Sequence, residues 1–140
     1  MTSYAIKAEV KTSFVQAVAA TKAALATEGF GILTEIDVQA TMKAKLGKDM
    51  LPYVILGACN PPHAFNVISA EPDIGLMLPC NVIVYERPDA AVVVAAINPE
   101  VAMQPAGNDE LRPAAAIVRQ RLERVVRAVE GTGVRKGQNG

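Results

Sequence analysis

The chain has 140 residues, 51% hydrophobic and 20% charged, with 14 basic residues balanced by 14 acidic ones. This is the length of one ordinary domain with apolar content enough for a buried core, which excludes a disordered chain. A formal charge of zero, no Trp, three Tyr and three Phe remove the basic footprint and the stacking platform of a nucleic-acid binder, so no nucleic-acid partner is expected.

Tyr4, Ile6, Ala8 and Val10 alternate with Lys7 and Glu9, a period of two that predicts a half-buried first strand. Ser13 with Gln16 reads as a capping box opening a helix. Phe14, Val18 and Leu25 share a face of that helix, and Gly29 is placed to end it in a left-handed turn. Ile32, Thr34, Ile36 and Val38 predict a second strand. Asp37 is a candidate cap for a short helix carrying Val38, Met42 and Leu46 and ending at Gly47. Tyr53 to Cys59 is an apolar run that predicts a central strand. Asn60-Pro61 then predicts a helix start, with Asn as N-cap and Pro at the first helical position.

That helix is expected over 61–70, followed by a turn at Pro72-Asp73-Ile74-Gly75. Leu76 to Glu86 predicts the next strand, with Pro79 marking a bulge or an edge. Arg87-Pro88-Asp89-Ala90 is a tight turn, and Ala91 to Ile97 is its hairpin partner. Asn98 to Gly107 is expected to be a loop. Leu111, Ala115, Val118, Leu122, Val125 and Val129 form an apolar stripe on a last helix capped by Asn108 or Asp109. Fewer than three heptads favour a helix laid on a sheet over a coiled coil. The four glycines from Gly131 to Gly140 predict a disordered tail, leaving one α+β domain over 1–130. No apolar run reaches the roughly 18 residues of a membrane span, so no membrane partner is expected. The start Met1-Thr2-Ser3-Tyr4 lacks the basic lead and apolar run of a secretory signal. The cytoplasm is therefore the expected compartment, where Cys59 and Cys80 are expected as free thiols.

Chemistry concentrates at two Cys-Asn pairs, Cys59-Asn60 and Cys80-Asn81. If the strands bearing them pair antiparallel, the end of one meets the start of the other at a common rim, beside the N-terminus of helix 61–70. Helix N–H groups stabilise a thiolate or another anion. His63, four residues after Cys59, is near enough to join Cys59 and Cys80 as a metal ligand, which makes a soft metal ion a candidate cofactor. A tetrahedral site would need further donors, and neither Cys belongs to a C-x-x-C pair. The competing reading is that both thiols pack as small hydrophobes. Glu35, Asp37 and Lys43 form a second candidate group, in which a half-buried Glu35 is a candidate base; alternatively Glu35 and Lys43 are simply solvated.

The stretches Thr34-Glu35-Ile36-Asp37-Val38, Leu56-Gly57-Ala58-Cys59-Asn60-Pro61 and Gly75 to Glu86, which holds Leu78-Pro79-Cys80-Asn81, resemble the bacterial and archaeal family known as domain of unknown function 302. The resemblance spans about Tyr4 to Val129. It implies a fold like that of the TATA-binding protein, β-α-β4-α, with an antiparallel sheet covered by two long helices. It implies a homodimer and membership of a subgroup with both cysteines, and it carries no established activity. Likeness of architecture implies no DNA binding.

Three functions follow from these residues. One is a dimeric protein binding a small-molecule ligand or soft metal ion at Cys59, Asn60, Cys80 and Asn81, with Glu35 and Lys43 as further candidates. Another is a thiol-dependent enzyme or redox protein in which Glu35 or His63 carries the proton. The third is a structural protein whose cysteines only pack.

Overall fold

A computed structural model describes residues 3–139, with side chains as far as Thr132. The alternating and apolar runs form five strands: β1 (Ala5–Val10), β2 (Gly31–Asp37), β3 (Tyr53–Cys59), β4 (Cys80–Glu86) and β5 (Val92–Ile97). They make one antiparallel sheet in the order β1-β5-β4-β3-β2. Helix α1 (Phe14–Thr27) follows β1, and α2 (Val38–Leu46) and α3 (Pro61–Ala70) interrupt the strand series. A one-turn α4 (Pro99–Ala102) and the long α5 (Arg112–Asn139) close the chain. With α2 and α3 as insertions, this is the expected β-α-β4-α order.

Local signals explain most boundaries. Ser13 accepts a hydrogen bond from the Gln16 backbone N–H. The Gln16 side chain does not return to Ser13; it accepts the Thr12 hydroxyl instead. Helix α1 ends as Gly29 requires: φ is +83°, Gly29 N–H donates to the Ala26 carbonyl and Phe30 N–H donates to that of Leu25. These two bonds satisfy carbonyls the last turn would leave bare.

Each sheet face carries alternate residues. On one face lie Val10, Ala8, Val92, Val94, Ala96, Val82, Val84, Leu56 and Ala58, all buried beneath α1 and α5. The buried stripe of α5 includes Leu122, Val125, Val126 and Val129, and α1 adds Ala17, Thr21 and Leu25. Burying each Leu or Val contributes roughly 1.5–3 kcal/mol. Thr21 tolerates this core because its hydroxyl donates to the Ala17 carbonyl at 2.7 Å. On the opposite face, paired positions bring together Ile36, Ile55 and Ile83, and Tyr53, Tyr85 and Val93. The two tyrosine rings stack at 5.5 Å. A second, smaller apolar cluster of Val67, Ile74, Met103, Leu111, Ala114 and Ala115 joins α3 to the start of α5.

Several boundaries differ from the sequence reading. Residues 76–77 are not strand: a 3-10 turn runs from Pro72 to Met77, and β4 begins only at Cys80, after a cis Leu78-Pro79 bond. Pro79 has no N–H to give the ladder, so pairing starts beyond it. Asn98 to Gly107 is not an open loop. Asn98 caps α4 by accepting the Glu100 N–H, with Pro99 at the first helical position, which is the Asn-Pro signal of α3 repeated. Asn108 caps a 3-10 turn (Asp109–Leu111) rather than α5 itself. The backbone of α5 continues through Gly131 to Asn139, and Gly140 lies outside the described residues. A helix glycine costs only about 1 kcal/mol and stops a helix only where it turns left-handed.

Candidate functional site

The two Cys-Asn pairs meet at one end of the β3–β4 ladder. Ala58 pairs with Cys80 and Gly57 with Asn81, which places Cys59 one step beyond Cys80. The expected rim juxtaposition is present, but the pleat qualifies it. Successive side chains leave a strand on opposite faces, so Cys80 belongs with Ala58 on the helix-covered face and Cys59 with Gly57 on the other. Both cysteines are free; Cys80 is buried and Cys59 half-buried.

Between the main core and the smaller cluster lies a cavity of about 310 Å³, and Cys59, Asn60, His63 and Cys80 all line it. Its remaining wall is apolar: Phe30 and Val118 from the core, Val67 from α3, Met103, and Ala114 and Ala115 from the start of α5. Leu33 and Ile68, which are 65% and 44% exposed, mark its opening to solvent. The size is at the lower end of the roughly 300–1,000 Å³ typical of small-molecule sites. Among the described residues no Lys, Arg, Asp or Glu lines it.

Gly57 shows how tightly this corner is built. A Cβ there would come within 2.9 Å of Pro79 Cγ and would collide with the Thr34 hydroxyl. Pro79 and Thr34 therefore close over a glycine that leaves them room. A bulge in β2 supports the same corner. Ile32 pairs with Ala58 and Thr34 with Gly57, so Leu33 is extra to the ladder, as bulged residues are. That frees Leu33 to stand at the cavity mouth.

The thiols differ in character. Burial pushes the Cys80 thiol up from its ordinary 9.0 to about 11, and the neighbouring Cys59 adds to the rise. Cys80 is thus a protonated, apolar wall component at neutral pH, because a thiolate in hydrocarbon loses its hydration. Helix α3 does little to reverse this. Its first two residues are Pro61 and Pro62, which lack N–H groups, and the Ala64 N–H is taken by the Asn60 carbonyl at 2.9 Å. Only the His63 N–H is left to face an anion. Asn60 occupies the N-cap position, but its side chain makes no capping bond. Pro62 explains this, because one of the two N–H groups that a cap normally engages is missing.

The other candidates lie elsewhere. Asn81 is exposed on the face opposite Cys80 and does not line the cavity, because the pleat reverses between adjacent residues. Glu35, Asp37 and Lys43 do not form a group. Glu35 is bound by Lys22 at 2.7 Å. Asp37 caps α2 by accepting the Ala40 N–H. Lys43 pairs with Asp49 at 2.9 Å. The Leu33 bulge moves Glu35 to the helix side of an edge strand, within reach of α1. For a metal, among the described residues no three His, Cys, Asp or Glu side chains gather to hold an ion. Among the cavity residues that sequence reading did not assign to a site are Phe30, Met103, Ala114 and Ala115. The signal for the two alanines was the small-residue run Ala114-Ala115-Ala116 at the start of an otherwise bulky apolar stripe, which leaves space beneath α3.

The comparisons with known proteins agree with this architecture. A crystal structure of the uncharacterized conserved protein DUF302 from Bacillus stearothermophilus is similar with a TM-score of 0.85 and 26% sequence identity, covering 91% of this chain and 99% of that one. No curated protein matches the chain. Residues 6–129 match the family Domain of unknown function DUF302, and the chain belongs to that family.

Proposed function

We propose that this protein binds a small, mainly apolar molecule in the cavity beneath the Cys59-Asn60 corner. The observation that supports this reading is the composition of one space: hydrocarbon on nearly every side, a few polar groups at one end, and an opening to solvent. That is the usual design of a small-ligand site. The thiol-enzyme reading is less well supported, because a nucleophilic cysteine needs a lowered pKa and that of Cys80 moves the other way. The soft-metal reading lacks a third donor among the described residues.

Two features of context belong to the proposal. The molecule acts as a homodimer, and the apolar rows on the uncovered sheet face, Ile36, Ile55 and Ile83 beside stacked Tyr53 and Tyr85, are the surface best suited to it. It works in the cytoplasm, where buried unpaired thiols persist; among the described residues no helix is long and apolar enough to cross a membrane.

The test is calorimetric titration with 1-octanol, on the unaltered chain and on Ala64→Phe. Ala64 lines the cavity from α3, so a phenyl ring there occupies ligand space. Saturable binding that the substitution removes, with circular dichroism unchanged, is the expected result. Binding that survives Ala64→Phe undiminished would place the ligand elsewhere.

A further inference from the structure

The geometry points to a ligand with an uncharged hydrogen-bonding head, an amide or alcohol class, read by the Asn60 carboxamide, with carboxylates and phosphates excluded. This rests on the cavity being the ligand site proposed above and names what that site selects.

Three independent observations converge. The first is Asn60 itself. It is 7% exposed, lines the cavity and makes no capping bond; among the described residues no side chain bonds its carboxamide. Every fully enclosed side-chain N or O among those residues does have a partner, so the carboxamide keeps accessible surface, and Asn60 is part of the cavity wall. A nearly buried amide with unmet donors and acceptors is costly unless something fills that role. A carboxamide both donates and accepts, so a hydroxyl or amide head can satisfy it from either end.

The second observation is the absence of charge compensation in the wall. No Lys or Arg lines the cavity among the described residues. The Arg121 guanidinium lies close to Asn60. Its Nη1 and Asn60 Nδ2 both approach the same point over Gly29, 3.3 and 3.2 Å from where a Cβ would sit. That Nη1 donates to the Glu28 carbonyl at 3.2 Å, and Arg121 is not part of the cavity wall. A carboxylate entering this space would lose its hydration with no cation in the wall to replace it.

The third is the pair Pro61-Pro62. A helix N-terminus ordinarily invites anions through its free N–H groups. Here the first two residues have none and the Ala64 N–H is spent on Asn60. The anion-binding capacity of the helix start is cut to the single His63 N–H by the same residues that begin the helix.

The experiment compares 1-octanol, octanamide and octanoate at pH 8 by calorimetry on the full chain, which holds the tail constant and varies the head. The expected result is that octanol and octanamide bind at least about tenfold more tightly than octanoate, in line with the cost of an uncompensated buried charge. Asn60→Ala should reduce that preference while cyclohexane, which has no head, still stabilises the protein to heat. Octanoate binding as tightly as octanol overturns the neutral-head inference and leaves the cavity reading standing. Failure of all three compounds overturns the cavity reading and this inference with it. If Asn60→Ala does not fold, the three-compound comparison on the unaltered chain decides alone.

Discussion

Cys80 offers a quantitative test of how dry the cavity wall is. Its thiol is raised from 9.0 to about 11, chiefly by burial. At pH 8 a thiol with the ordinary value is about one-tenth thiolate, and one near 11 is about one-thousandth, a hundredfold difference in the reactive species. Iodoacetamide labelling followed by peptide mass spectrometry reads this for each cysteine. Cys80 in the native protein should label about a hundredfold more slowly than the same residue in urea. The linkage to stability has a definite sign. The unfolded chain loses this proton first, at about pH 9, and the folded chain holds it until about pH 11. The contribution of the buried thiol is therefore present in full below pH 9 and is lost as pH rises from 9 through 11. A tenfold step is worth about 1.36 kcal/mol, so the loss is about 2–3 kcal/mol across that window. Urea unfolding at pH 8 and pH 11 on the unaltered chain and on Cys80→Ala isolates it, since the two chains differ at no other residue. The unaltered chain should lose more stability than the variant by that amount. Parallel losses, or Cys80 labelling within tenfold of its rate in urea, would refute a dry wall.

Two further tests concern the frame and the assembly. Gly57→Ala should destabilise by about 1–3 kcal/mol in urea unfolding, the usual cost of overpacking, because the new methyl meets Pro79 Cγ and the Thr34 side chain. Adding Thr34→Ala should recover part of the loss, and no recovery would mean that Pro79 sets the limit. Ile83→Lys places a charge in the centre of the uncovered apolar face; light scattering should show the unaltered chain as the proposed dimer and the variant as a folded monomer, and a variant that is still dimeric would move the interface to another surface.

Much of the fold was legible because its signals are local. A period-two run marked β1, apolar runs marked β3 and β5, the Gly29 turn ended α1, and the apolar stripe of α5 identified the helix that covers the sheet. The errors have local causes too. Leu76 and Met77 look like strand residues by composition, but the turn started by Pro72 holds them and Pro79 delays pairing. The Asn98-Pro99 start was masked by the shortness of a one-turn helix. At the site, sequence order was enough to bring Cys59 and Cys80 to one rim. It was not enough to place them on faces, because that depends on register, and register set Ala58 rather than Cys59 opposite Cys80. The same register carried Asn81 away from the cavity. The Glu35 group dissolved because the Leu33 bulge shifts every later residue of β2 to the other face, something no alternation pattern reveals. Ala114, Ala115 and Met103 define the cavity by the volume they leave empty, which only the packed structure makes visible.

The most direct measurement is methyl NMR of the protein titrated with 1-octanol. Val67, Val118 and the Met103 methyl line the cavity, whereas Val93 sits on the opposite sheet face. Saturable shifts at the first three with Val93 unmoved are the expected result. Shifts centred on Val93, or none at saturating octanol, would contradict a ligand site beneath the Cys59-Asn60 corner.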